Sequence, residues 1–219
     1  MADLVLFGNG DIARLADHYF TTDSEHRVVA FTVDDDYVES EEFLGRPLVP
    51  FSTVATRFPP QAHSLFVALS YAQMNHLREE RCARATELGY ELESYISSRC
   101  TYLTEESPGP NCFILEDNTV QPFVSIGANV TLWSGNHIGH DSVIEDHVFV
   151  SSQVVISGHC QIGRSCFLGV NSTVQHGVRL AERTLVGAAA LVTKDTEEGA
   201  VLLGRRATVS SRSSDEVKL

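Results

Sequence analysis

From Ile114 onward an aliphatic residue returns at every sixth position. The positions are 114, 120, 126, 132, 138, 144, 150, 156, 162, 168, 174, 180, 186 and 192, and they read Ile, Val, Ile, Leu, Ile, Ile, Val, Ile, Ile, Leu, Val, Leu, Val, Val. Neither a helix nor an ordinary strand has that period. A fixed repeat of six is the mark of a β-solenoid. Four residues after each aliphatic lies a second restricted position, small or β-branched throughout, as in Asn118, Val124, Val130, Ser142, Cys160, Cys166 and Ser172. It precedes the next aliphatic by two, so the pair shares one face of a short strand. The two residues after each aliphatic are then expected to turn, where Gly127, Gly139, Gly163, Gly169 and Gly187 recur. This frame makes Cys160 and Cys166 core filler and leaves Trp133 exposed at a turn.

The first ~97 residues have another rhythm. Leu4–Gly8 reads as a buried strand, and Asp11 as the cap of a helix running to about Thr21. Strands are expected at Arg27–Val33, ending in Asp34-Asp35-Asp36, and at His63–Leu69. A helix from about Met74 to Leu88, closed by Gly89, precedes a last strand over Glu91–Ile96. Such alternation predicts a small parallel α/β sheet. The chain thus divides into an α/β domain over 1–97, a β-helix over 98–204 and a flexible polar tail over 205–219.

Composition narrows the function. Sixteen basic against 29 acidic residues give a net charge of −13, which disfavours nucleic acid and anionic membrane surfaces as partners. No apolar run reaches the ~18–20 residues of a membrane span. The start, Met1-Ala-Asp-Leu-Val-Leu-Phe-Gly8, reads as a strand and not a signal peptide. Five cysteines without CxxC spacing fit free thiols in a reducing cytoplasm, with no disulfide frame and no metal cofactor.

Four stretches carry a resemblance: Leu4-Val-Leu-Phe-Gly-Asn-Gly10, Gly89-Tyr-Glu-Leu through Ile96-Ser-Ser, Gly139-His-Asp-Ser-Val-Ile144, and Ile162-Gly-Arg-Ser-Cys-Phe-Leu-Gly-Val-Asn-Ser172. Through them the chain resembles the hexapeptide-repeat acyltransferases that carry an N-terminal Rossmann-like domain, the sialic acid O-acetyltransferase, bacillosamine and perosamine N-acetyltransferase group. The resemblance implies a left-handed parallel β-helix and a homotrimer with active sites between subunits. It also implies acetyl-CoA as co-substrate and a nucleotide-linked sugar held by the N-terminal domain. His140 matches the family's general base and Asp141 its acid partner. Gly158 matches an amide facing the thioester carbonyl, while Val170, Gly187 and Ala188 match the pantetheine lining. Two stretches depart from the family pattern: Val186-Gly-Ala-Ala-Ala190, and Gly204-Arg-Arg-Ala207, whose Arg205 and Arg206 suit CoA phosphates.

Acyl transfer from a thioester needs a base near neutrality, an oxyanion donor and positioned substrates. Among nine histidines, His140 falls at a turn and is therefore not a core residue; His137 is the reserve base or substrate contact. Gly8-Asn9-Gly10 with Ala13 permits close phosphate approach at a helix start, and Asp34 and Asp35 end the second strand as sugar-nucleotide contacts. An NAD site would use the same residues, in a domain too short for a full dinucleotide fold. O-acylation remains open beside N-acylation, as does a scaffold or zinc-binding β-helix using His137, His140 and His159.

Overall fold

The computed structural model describes residues 3–216. Five strands form the N-terminal sheet in the order β3-β4-β2-β1-β5. They are β1 (Asp3–Phe7), β2 (Arg27–Val33), β3 (Glu42–Phe43), β4 (Arg46–Pro50) and β5 (His63–Val67). β1 pairs in parallel with both β2 and β5. Leu4 and Leu6 pack into one core with Ala13, Ala16 and Phe20 of helix α1 (Asp11–Thr22). Val5 and Phe7 point the other way, into a core with Cys82 and Ala85. Burial on both faces is why these strands read as unbroken apolar runs.

Several local expectations shift. Gly10, not Asp11, is the N-cap of α1; Asp11 sits in the first turn, where a carboxylate suits the helix dipole. Helix α3 (His76–Glu87) follows the short α2 (Val54–Arg57) and begins after Met74, because Gln73, Met74 and Asn75 are all left-handed at φ +54°, +52° and +68°. The β3–β4 hairpin, turning at Leu44-Gly45, was not visible in the pattern. Glu91–Ile96 is not a strand of the α/β sheet: only Leu92 bridges to Leu65, and Tyr95–Ile96 is instead the first strand of a β-helix face, paired with Phe113–Ile114.

The β-helix follows its period. Through Val192 the two-residue strands pair in parallel at a spacing of 18, as Ile126 with Ile144, Leu132 with Val150 and Ile138 with Ile156; the last pair, Leu185–Val186 with Val201–Leu202, is spaced by 16. Three faces result, of seven, six and four strands, wound as a left-handed helix. All fourteen repeat aliphatics are buried, none above 6% exposed. Cys160 and Cys166 are buried beside them as expected.

The turns lie one residue later than the sequence suggested. The second and third residues after each aliphatic make them, the third left-handed: Asp117, Asn129, Asp141, His147 and His159 lie between φ +56° and +61°. The recurrent glycines serve a different need. A Cβ at Gly163 would stand 2.8 Å from Glu182 N, and one at Gly169 2.7 Å from Ala188 N. The next coil's backbone crosses directly over them, and only a hydrogen fits.

The α/β domain packs on the seven-stranded face, where Tyr95, Phe113 and Trp133 join its core. Trp133 is half-buried and packs against Phe149; its role is structural, and the expected exposure is corrected. Arg78 on α3 is 1% exposed. Its guanidinium donates to Thr131 Oγ1 at 2.7 Å and to the Asn129 carbonyl at 3.0 Å, and burial pulls its pKa down to about 10. Residues 205–216 hold no strand and are exposed, with one 3-10 turn at Ser214–Glu216; the last three residues of the tail lie outside the described residues.

Candidate active site

His140 stands at the edge that follows the six-stranded face. Its left-handed neighbour Asp141 (φ +58°) turns a carboxylate back onto it, with Oδ2 2.7 Å from His140 Nδ1. That contact fixes the proton on Nδ1 and leaves Nε2 as the basic nitrogen. The ring is half-exposed, at 49%, so it is open to a substrate. Its backbone N–H donates to Gln121 Oε1 at 2.9 Å. Gly158 lies beneath it one coil on: a Cβ there would sit 2.8 Å from His140 Nε2. The glycine is what gives the imidazole its place.

The outward amides of these edges form a pattern. Those of Ala128, His140 and Arg164, each two residues after an aliphatic, donate to the side chains of Asp146, Gln121 and Glu145. Gly158 occupies the equivalent position next to the His140 ring.

Two further histidines stack on the same edge. His159 Nε2 lies 3.8 Å from Asp141 Oδ2, and its ring meets His140 edge-on with centroids 5.0 Å apart. The His176 ring is 5.2 Å from that of His159. His137 is not in this cluster; it points outward from the six-stranded face between Thr119 and Val155. His147 belongs to the interior. Burial and the nearby Arg164 charge hold its pKa below the usual histidine value, and Nδ1 contacts Asn129 Nδ2 at 2.8 Å.

Val170, Gly187 and Ala188 lie on a different edge, the one after the seven-stranded face. Ala189 N–H donates to the Val170 carbonyl at 2.8 Å, and Gly187 N–H to Leu202 at 2.7 Å. Gly204 stacks on Ala188 and Ala189, so Arg205 and Arg206 leave from the end of that same edge, both exposed. One chain therefore presents Gly158 with His140, and the other five residues apart from them.

The α/β domain holds an open cleft of about 960 Å³ lined by Gly8, Asn9, Gly10, Asp34, Asp36 and Arg81 among others. Gly8 has φ +130°, and a Cβ on it would meet the Ala68 carbonyl at 2.8 Å; the strand-to-helix turn needs glycine there. Asp35 is not in the cleft. Its carboxylate accepts from Ser52 N–H at 3.2 Å and Oγ at 2.6 Å, which holds its pKa below the usual range. Arg81 is the cleft's cation, donating from Nε and Nη2 to Asp34 Oδ2 at 3.0 and 2.8 Å. Sequence reasoning missed it; with Leu77 it forms an i, i+4 pair on the cleft side of α3. An adjoining hollow of about 230 Å³ shares Ile12 and Ser70 with the cleft and reaches Tyr71, Trp133, Phe149 and Val170.

The bacterial transferase hexapeptide family (six repeats) matches residues 123–158, the segment containing His140, Asp141 and Gly158. The chain carries the hexapeptide β-helix fold. Its architecture is similar to a mutant perosamine N-acetyltransferase from Caulobacter crescentus, solved with CoA and GDP-perosamine: TM-score 0.82, 21% identity, covering 97% of this chain and 98% of that one. The acetyltransferase domain of PglB from Neisseria gonorrhoeae FA1090 gives TM-score 0.81 at 17% identity over 93% and 97%. By sequence the chain is 32% identical over 71 residues to acyl-(acyl-carrier-protein)–UDP-N-acetylglucosamine O-acyltransferase of Burkholderia lata, 32% of this chain and 27% of that protein. The Burkholderia mallei protein of the same name is 29% identical over 112 residues, 45% and 43% of the two chains. The chain thus spans less than half the length of these curated relatives.

Proposed function

We propose that the chain is an acyl-CoA-dependent N-acyltransferase that moves an acetyl group from acetyl-CoA to the amine of a nucleotide-linked sugar. The observation that carries this reading is the His140–Asp141 pair on an open edge of the β-helix, with Gly158 clearing space for the ring. The sugar amine attacks the thioester carbonyl while His140 Nε2 takes its proton. Asp141 stabilises the imidazolium as it forms. The outward amide of Gly158 is assigned to the oxyanion. Collapse breaks the C–S bond, and the proton passes from Nε2 to the leaving thiolate, giving CoA and the N-acetyl sugar.

The cleft at Gly8, Asn9, Gly10 and Asp34 is assigned to the nucleotide, with Arg81 as its counter-charge to phosphate. Val170, Gly187, Ala188, Arg205 and Arg206 are assigned to CoA. Their separation from His140 within one chain supports a homotrimer in which that edge of one subunit faces the His140 edge of the next. Free thiols throughout the described residues support a reducing, cytoplasmic setting. No helix among them is long and apolar enough to cross a membrane.

Purified protein assayed with acetyl-CoA and matched amino- and hydroxy-sugar nucleotides is expected to acetylate the amine. His140→Ala should lower turnover about 10²–10⁴-fold, the usual worth of a positioned base; undiminished turnover would sink the mechanism. Acetylation of the hydroxy sugar alone would establish the second reading, O-acylation, which the names of the Burkholderia relatives favour.

A further inference from the structure

We propose that His140, Asp141 and His159 form a binding site for a zinc-like divalent transition-metal ion, and that occupancy switches the base off. The three offer ligand atoms that all lie within 4.8 Å of one another. Asp141 Oδ2 is the hub, 2.7 Å from His140 Nδ1 and 3.8 Å from His159 Nε2. Four-coordinate zinc holds nitrogen and oxygen donors at about 2.0–2.2 Å, which spaces them roughly 3.3–3.6 Å apart. Rotation of half-exposed rings closes that difference, since His140, Asp141 and His159 are 49%, 42% and 53% exposed. The backbone is already set: His159 N–H donates to the His140 carbonyl at 2.8 Å, and both Asp141 and His159 are held by left-handed turns.

The donor set decides the class of ion. Two imidazoles and one carboxylate suit zinc, copper or nickel and not magnesium or calcium, which take oxygen ligands. Three protein ligands leave one position for water, with the His176 ring next in the stack.

The switch follows from counting protons on one ring. Neutral His140 carries a single proton; placed on Nδ1 towards Asp141, it leaves the Nε2 lone pair free to accept. A metal ion on Nδ1 uses the lone pair there, so the proton resides on Nε2. That nitrogen becomes a donor and cannot deprotonate an amine. Asp141 is taken by the ion at the same time. The inhibition rests on the proposed role of His140 as base; the binding does not.

The test uses the full chain after treatment with EDTA. Calorimetric titration with zinc chloride should show one ion per chain, and cobalt(II) should give the visible absorption of a four-coordinate nitrogen–oxygen site. His159→Asn keeps a residue that tolerates φ > 0 and should weaken zinc binding at least about tenfold. Cys100→Ser, at the least buried thiol, should leave binding unchanged. Equal affinity in wild type and His159→Asn overturns the site. In the acetyl-transfer assay zinc should inhibit over its binding range and EDTA should restore the rate. His159→Asn, compared with its own metal-free rate, should lose the inhibition over the zinc range that inhibits wild type; inhibition of that variant over the same range overturns the switch. Zinc that binds without slowing turnover overturns the switch, whereas failure of the base role itself is read separately from His140→Ala without metal.

Discussion

Adding one methyl group at Gly158 separates the rate of this protein from its stability. A Cβ there would lie 2.8, 3.0 and 3.1 Å from Nε2, Cε1 and Cδ2 of His140, whereas carbon atoms pack at about 3.5–4.0 Å. The ring must therefore retreat by roughly 0.5–1 Å. Because it is half-exposed, it can swing towards solvent without opening the core, and stability should stay within about 0.5 kcal/mol of wild type. That movement disturbs its bond to Asp141 and, if His140 is the base proposed above, its aim at the acceptor. A misplacement of about 1 Å costs up to ~10²-fold, so kcat/KM of Gly158→Ala should fall ~10–10²-fold, or about 1.4–2.7 kcal/mol. Gly139→Ala supplies the contrast: its Cβ would meet backbone, with Ser157 C at 2.5 Å, and nothing there can swing away. That variant should lose about 1–3 kcal/mol of stability as the coils are forced apart. Steady-state kinetics and urea denaturation on both variants check the pair. Full activity in a stably folded Gly158→Ala would refute the placement of His140 at the reacting centre.

Two predictions concern the junction of the halves. Arg78→Ala removes a buried side chain and leaves Thr131 Oγ1 and the Asn129 carbonyl without their donor; urea denaturation should show a loss of about 3–5 kcal/mol. Asp23 accepts from Ser98 N–H at 2.9 Å and Tyr95 Oη at 2.5 Å, and the bonds from Ser98 and Tyr95 hold its pKa down to about 2. A depressed carboxylate contributes stability that is present above its unfolded pKa of about 3.9 and is lost as pH falls through the folded value. Asp23→Asn should thus be less stable than wild type at neutral pH, and the gap should close between about pH 4 and pH 2. A gap independent of pH would contradict the assignment.

The period of six made the β-helix legible because every coil repeats the same demand for one large and one small inward residue. Glycine misled the phase of the turns: its usual meaning is left-handed backbone, but Gly163 and Gly169 supply clearance for the coil above, and residues such as Asn129 and Asp141 take the left-handed positions. His140 and its partner were visible because a turn position lies outside the solenoid's own core; at the equivalent positions Asn129, His147 and Ser165 the α/β domain covers the edge and buries them. Arg81 was not, because its meeting with Asp34 depends on how α3 lies across the sheet, and one chain carries no record of that angle. Tyr95–Ile96 was misplaced for the same reason. Two apolar residues fit an α/β strand or a first solenoid strand equally well, and only the partner Phe113–Ile114 decides between them.

The left-handed column has a consequence for how such a protein can change. Phe123, Gln153, Ser165, Arg183 and Ala189 all sit at φ between +57° and +65°, although none has the preference of Gly, Asn or Asp for that region. The coils stacked above and below hold the conformation whatever the side chain. Where such an edge faces solvent, as at Phe123, Gln153, Arg183 and Ala189, it is a row of outward stations, one per coil at about 4.8 Å intervals, where identity is free while geometry is not. Chemistry can be written or erased there by single substitutions, without a new loop and without touching the core.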